Sequence, residues 1–337
     1  MKPNATVVTI FAVTSIFVWQ YQTLKQKPDL PKDDRIRIAE AFRLADSVQD
    51  QIWRSWSKAP FGLMLVTNEH EFLVGHPHAT NNFDTVGFDS DLHSLVLFRK
   101  RLFLTNLLAT FPAINGISTI VVGQSANTNM SSSTAWVVTV LHEHFHQYQQ
   151  SQPGYFASTE ALGLSRGDNT GMWMLNYPFP YDSAEVCDAY AAMARSLRDA
   201  LGCQQRDQPK YLKFFFSTLE RFKLLLSPDD FKYFAFQCWQ EGVARYTELR
   251  VAELACINFT PSKEFRSLHD YRPFKNVVDS IHSTIFDGLT NPSLASSRRI
   301  AFYAFGAGEA LLLDKVHPGW KQDYLKTKFH LEKYFSK

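Results

Sequence analysis

One stretch constrains this chain more than any other. Ser131 to Gln150, SSSTAWVVTVLHEHFHQYQQ, follows an almost wholly apolar run with His142, Glu143 and His146 in the order H-E-x-x-H. Hydroxyls at Ser131 to Thr134 can cap a helix start, and Trp136, Val137, Val138, Val140 and Leu141 make its first turns apolar nearly all round. Such a helix is central and buried. At about 3.6 residues per turn the two histidines lie one turn apart on one face, where they can take two tetrahedral positions on one Zn²⁺. Glu143 then sits beside the open position as a base. A solvated, charge-balanced helix could carry the same three residues without a metal, but the apolar residues before them argue against such a face. His144 points to another side of the helix and reads as a structural or rim residue.

A catalytic zinc takes three protein ligands and leaves the fourth place to water. Glu241 is the candidate third ligand. It opens Glu241-Gly-Val-Ala-Arg-Tyr-Thr-Glu248, and on a continuous helix Glu248 returns to nearly the same face two turns later. There Glu248 can accept the N–H of a ligating histidine, fixing its tautomer and raising its basicity. A solvated stripe of glutamates is the plainer alternative. Glu185, nearer to His146 in sequence, is the alternative third ligand, on a helix for which Asp182 reads as a cap.

From Ile114 to Glu248 the chain resembles the gluzincin metallopeptidases, the clan of thermolysin and the alanyl aminopeptidase-type enzymes. In those aminopeptidases an E-G-x-A-x-Y-x-E segment follows a tryptophan-containing approach, matched here by Trp239, Glu241, Gly242, Ala244, Tyr246 and Glu248. The separation of His146 from Glu241 is longer than in that pattern. The resemblance implies that Glu241 completes the zinc site and that Glu248 supports a histidine. It also implies that Ile117 to Val122 is the edge strand that pairs with an extended peptide. Tyr303, in Tyr303-Ala-Phe-Gly-Ala-Gly-Glu309, can donate a hydrogen bond to the oxyanion of a tetrahedral intermediate, although a lone tyrosine more often packs. The implied activity is that of a zinc metallopeptidase acting on a peptide or protein substrate. A non-peptidase zinc hydrolase and a non-catalytic membrane-anchored metal-binding protein are the alternatives.

The rest of the chain fits one catalytic domain, residues 31–337, behind an N-terminal segment, residues 1–30. Ala5 to Trp19, ATVVTIFAVTSIFVW, carries no charge and reads as an uncleaved signal anchor. That reading makes the membrane a partner and places the catalytic domain outside the cytoplasm, membrane-anchored or secreted. Arg35 to Trp56 is expected as a helix. GLMLV, EFLV, SLVLF and ISTIVVG, between Pro60 and Gly123, are expected as strands of a small sheet. Long helical patterns follow from Ser131, interrupted by loops at Pro153 to Pro180 and Asn258 to Pro273. The fold class is therefore α+β, a small N-terminal sheet followed by a mostly helical domain. Cys187, Cys203, Cys238 and Cys256 lack the close spacing of a zinc knuckle, and a disulfide is plausible only between the two helical regions. Thirty-five basic against 33 acidic residues leave a formal charge of +2, too little for a nucleic-acid binder.

Overall fold

The computed structural model describes residues 27–78, 81–130 and 132–336. The apolar run Ala5 to Trp19 lies outside them. Among the described residues no helix is long and apolar enough to cross a membrane.

Helix α1 (Lys32–Ile52) buries Ile38, Ala41, Leu44, Ala45 and Val48, which recur at helical spacing. It stops short of the expected Trp56. The backbone becomes extended at Trp53 and turns through Ser55, whose φ of 65° is left-handed, so that both tryptophans are buried.

Six strands follow: β1 (Leu63–Val66), β2 (His70–Val74), β3 (Asp84–Asp89), β4 (Ser94–Lys100), β5 (Leu108–Ile114) and β6 (Ile117–Gly123). They form one sheet in the order β3-β4-β2-β1-β6-β5, antiparallel except for the β1–β6 pair. Strand alternation divides its side chains between two faces. Leu63, Leu65, Phe72, Val74, Ile120 and Val122 join the main helical core, while Met64, Val66, Leu73, Leu97 and Val121 form a smaller cluster on the other face.

Strand β6 is thus an interior strand, not the expected edge. The edge is β5, hydrogen-bonded antiparallel to β6 through a turn at Asn115 and Gly116, both at positive φ. Its register shifts between Phe111 and Ile114, around Pro112, which an edge strand tolerates. At the far edge β3 is mostly exposed.

The sheet is followed by helices, of which α2 (Ser133–Gln150) packs on β5 and β6: after it come α3 (Tyr155–Glu160), α4 (Trp173–Asn176), α5 (Ala184–Gly202), α6 (Gln208–Leu224), α7 (Pro228–Gln237) and α8 (Val243–Asn258). Beyond them lie α9 (Lys263–Arg266), α10 (Phe274–Thr290), α11 (Leu294–Ser297), α12 (Ala301–Val316) and α13 (Lys321–Tyr324). The architecture is α+β. Both expected loops contain short helices, α3 and α4 in the first and α9 in the second. Ser183, not Asp182, caps α5, accepting from the Val186 N–H, and the exposed Asp182 pairs with Arg298. All four cysteines are free.

Helix α2 is the centre of the molecule. Ser132 caps it, accepting from the Ala135 N–H at 3.1 Å, and Trp136 Nε1 donates to the Gly123 carbonyl at the end of β6. A buried polar network fastens its first turn. Arg37 on α1 donates to Ser133 Oγ at 2.7 Å and to Asp34 at 2.9 Å, and Asp270 accepts from Ser133. These bonds fix where α2 starts, and so where its histidines fall.

Glu309 on α12 is a buried acid on which, among the described residues, no hydrogen bond or cationic charge acts to hold its ionised form. Burial, aided by the nearby Glu332 charge, pushes its carboxyl well above its ordinary value of 4.5. Above that value the unfolded chain has released a proton that the native state keeps, so stability falls as pH rises, by about 1.4 kcal/mol per unit. Glu309→Gln removes this slope. In thermal melts its Tm is expected to gain about 2 °C on wild type for each unit by which pH rises above that ordinary value, until the buried carboxyl itself ionises. A gap that stays constant with pH would count against this account of Glu309.

Candidate metal centre

On α2 the H-E-x-x-H spacing is realised as one face: His142 and His146 are both buried, with ring centroids 4.9 Å apart. The Nε2 atoms face Glu241 Oε2, at 3.9 Å from His142 and 3.4 Å from His146. One ligand atom from each of the three residues lies within 4.8 Å of the other two. Two imidazole nitrogens and a carboxylate oxygen at that separation are a donor set suited to a divalent cation such as zinc.

Glu241 reaches this position by an irregularity of the backbone. It does not lie in the regular part of α8. It sits in a π-helical turn, Cys238–Gly242, that joins α7 to α8. Such turns insert a residue into the helical repeat and re-aim the side chains on either side. The turn presses directly on α12. A Cβ added at Gly242 would lie 2.5 Å from Gly306 Cα, and one at Gly306 would lie 2.4 Å from the Cys238 carbonyl oxygen. Only glycine at both positions permits this approach, which seats Glu241 opposite the histidines.

The outward nitrogens of both histidines are held. His142 Nδ1 lies 3.2 Å from Glu248 Oε2, and Glu248 is in turn paired with Arg245 at 2.7 Å. His146 Nδ1 lies 2.7 Å from Gln149 Oε1, whose amide nitrogen donates to the Gln240 carbonyl and to the Tyr324 hydroxyl. Glu248 places the His142 proton on Nδ1 and leaves its Nε2 facing Glu241, while His146 Nδ1 lies between the Gln149 carbonyl oxygen and the Gln240 amide nitrogen, the latter at 3.1 Å.

The electrostatics agree with a site built for positive charge. Burial opposes protonation of His142, but hydrogen bonds that the imidazolium donates to Glu241 and Glu248 outweigh it and raise the imidazole from 6.5 to about 9. For His146 burial is likewise outweighed, chiefly by the Glu241 charge. Burial also penalises the Glu241 carboxylate, yet the two histidines hold it well below its ordinary value. His144 shows the opposite behaviour. Burial lowers it to about 4, and the neutral ring stacks on Phe61 at 3.9 Å and on Trp56 at 5.3 Å. It is a packing residue, turned away from the cluster.

The three residues lie in a cleft of about 1160 Å³. Glu143, Glu248, Arg245, Tyr303 and Arg299 line it too, together with β5 from Leu108 to Pro112. Thr110 on β5 places its hydroxyl 2.8 Å from Glu143 Oε2 and 3.0 Å from the Glu143 carbonyl oxygen, tying the carboxylate to the edge strand. Tyr303 is half-buried beside Glu241, and its hydroxyl accepts from Arg299 Nη1 at 2.6 Å. Burial and the Glu241 charge push that phenol well above its ordinary value, so it remains a proton donor.

Of the residues expected from sequence, the structure brings together His142, Glu143, His146, Glu241, Glu248 and Tyr303. It does not bring in Glu185, which is exposed in the first turn of α5 and does not line the cleft. Thr110, Gln149, Arg245 and Arg299 belong to the site but were not marked by the sequence. Arg299 lies one helical turn before Tyr303, a spacing that places two side chains together. No protein-family model, curated protein or solved structure matches the chain.

Proposed function

We propose that this protein is a zinc-dependent hydrolase of the gluzincin type, acting on peptide bonds. The observation that carries the reading is the convergence of His142 Nε2, His146 Nε2 and Glu241 on one point of a large cleft, with Glu143 beside it. Among the described residues the cluster has three members, which favours a site with a position open to water or substrate over a closed structural one. A zinc ion held by His142, His146 and Glu241 would supply Lewis-acid activation of a water molecule and of the substrate carbonyl.

The chain's own residues divide the remaining work. Glu143 accepts the proton of the attacking water and delivers it to the leaving amine. Thr110 holds the Glu143 carboxylate in place through its hydroxyl. Tyr303, which donates to Glu241 and accepts from Arg299, stands where its O–H can turn from Glu241 to a developing oxyanion. Glu248 fixes the tautomer of His142, and Gln149 and Gln240 hold the ring of His146 in place. Edge strand β5, open on the side away from β6 and lining the cleft, offers main-chain groups to an extended peptide. Main-chain pairing is indifferent to side-chain identity and favours a peptide over an epoxide or a simple ester. The N-terminal apolar segment would anchor this domain at a membrane, outside the cytoplasm.

The test is a peptide-library digest by the full-length protein, read by mass spectrometry. Cleavage is expected, abolished by a zinc chelator and restored by added Zn²⁺. Cleavage that persists unchanged after the metal is removed, or its absence from zinc-loaded folded protein, would overturn the peptidase reading.

A further inference from the structure

Three arginines line the cleft, in different states. Arg245 is paired with Glu248, and Arg272 is exposed and donates to the carbonyl of Tyr271. Arg299 is half-buried, and among the described residues its hydrogen bond is the donation from Nη1 to the Tyr303 hydroxyl. No carboxylate lies within ion-pairing distance of it among the described residues. A guanidinium carries five N–H donors in a flat fork that matches a carboxylate bidentately. The Glu241 charge acts on this guanidinium only from beyond ion-pairing distance, so a ligand carboxylate that pairs with it directly recovers more of the cost of taking it partly out of water.

Its position says where on a ligand that charge would be. Arg299 and Glu241 flank the same Tyr303 hydroxyl, so the guanidinium stands roughly two hydrogen-bond lengths, about 6 Å, from Glu241. One residue of extended chain spans about 3.5 Å. A group held by Arg299 therefore belongs to the residue adjoining the carbonyl under attack.

We propose that Arg299 binds a carboxylate of the substrate next to the cleaved bond, so that the cleft selects peptides with an acidic group at that position. The inference rests on the peptidase reading for the identity of the ligand. Two sources offer this chemistry, the free C-terminal carboxylate and the side chain of Asp or Glu.

Binding separates them without relying on turnover. The zinc-loaded full-length Glu143→Gln protein is titrated calorimetrically with three N-acetylated tripeptides: Ala-Phe-Ala with a free carboxylate, the same peptide amidated, and amidated Ala-Phe-Glu. At least one acidic peptide is expected to bind about tenfold or more tighter than the neutral amide. Adding Arg299→Gln should erase that preference with zinc content unchanged, and Arg299→Lys should restore part of it. Preference for the free carboxylate marks a C-terminal exopeptidase, and preference for the glutamate amide marks recognition of a side chain. Equal binding of all three, binding of none, or a preference that survives Arg299→Gln overturns the proposal. If wild type cleaves no peptide while the Arg299-dependent preference holds, hydrolysis fails and the carboxylate subsite stands.

Discussion

Glu143→Gln is expected to lower kcat by about 10²–10⁴-fold, the usual contribution of a positioned general base, while the protein keeps its zinc and its fold. The substitution is nearly isosteric, and the amide oxygen can still accept the Thr110 hydroxyl that now lies 2.8 Å from Glu143 Oε2. His142, His146 and Glu241 are untouched, so metal affinity has no reason to change. What is lost is the capacity to take a proton from water and return it to the leaving amine. Because the interaction operates chiefly in the transition state, KM should move much less than kcat. Steady-state kinetics on a cleaved library peptide, with zinc content measured on the same samples, checks both halves. Undiminished turnover would remove Glu143 from the mechanism, and loss of zinc would make it a ligand or a structural residue.

The largest effect on stability is expected far from the metal centre, at Glu71 on β2. This carboxylate is fully buried and accepts from Arg99 Nε at 2.6 Å, from the Leu102 N–H at 2.7 Å and from the Phe103 N–H at 2.6 Å. Glu71→Ala leaves the Arg99 charge without its partner and two backbone donors unsatisfied. Breaking a buried pair from one side costs about 3–5 kcal/mol, most of it desolvation that is no longer offset. Urea unfolding should show the midpoint falling with the slope unchanged. Glu71→Gln, which retains an acceptor oxygen, should lose less. A cost under about 1 kcal/mol for the alanine variant, the level of an exposed pair, would contradict the assignment. The segment held by Glu71 leads to Leu107, whose carbonyl accepts from the Gly123 N–H, so this pair also secures the approach to β5.

Much of the fold could be read from the sequence, because the strongest signals are periodic. The apolar run before His142 sets a buried central helix, and four short β-prone runs became β1, β2, β4 and β6. The two strands that went unread are the edges. Strand β3 is mostly exposed and carries no apolar run, and β5 holds a proline that its edge position tolerates. The Asn115-Gly116 pair was the available signal for the β5–β6 hairpin. The edge position given to β6 came from the gluzincin resemblance, and without β5 in view nothing in the sequence corrected it or pointed to Thr110.

The candidate site divides in the same way. His142, Glu143 and His146 follow from spacing on one helix, which the sequence states directly. Glu241 could be named but not placed, since its direction depends on the π turn and on the contact between Gly242 and Gly306, a packing of elements distant in the chain. Arg299 could not be weighed at all, because its significance lies in the absence of a directly paired carboxylate among the described residues, which only three-dimensional surroundings reveal.

The most direct test of the central claim is the metal content of the full-length protein, by elemental analysis of wild type and Glu241→Ala side by side. About one zinc per wild-type chain, lost or much weakened in the variant, is the result expected if His142, His146 and Glu241 hold the ion. A folded wild-type protein that takes up no zinc, or a Glu241→Ala protein that binds it as tightly as wild type, would contradict the account.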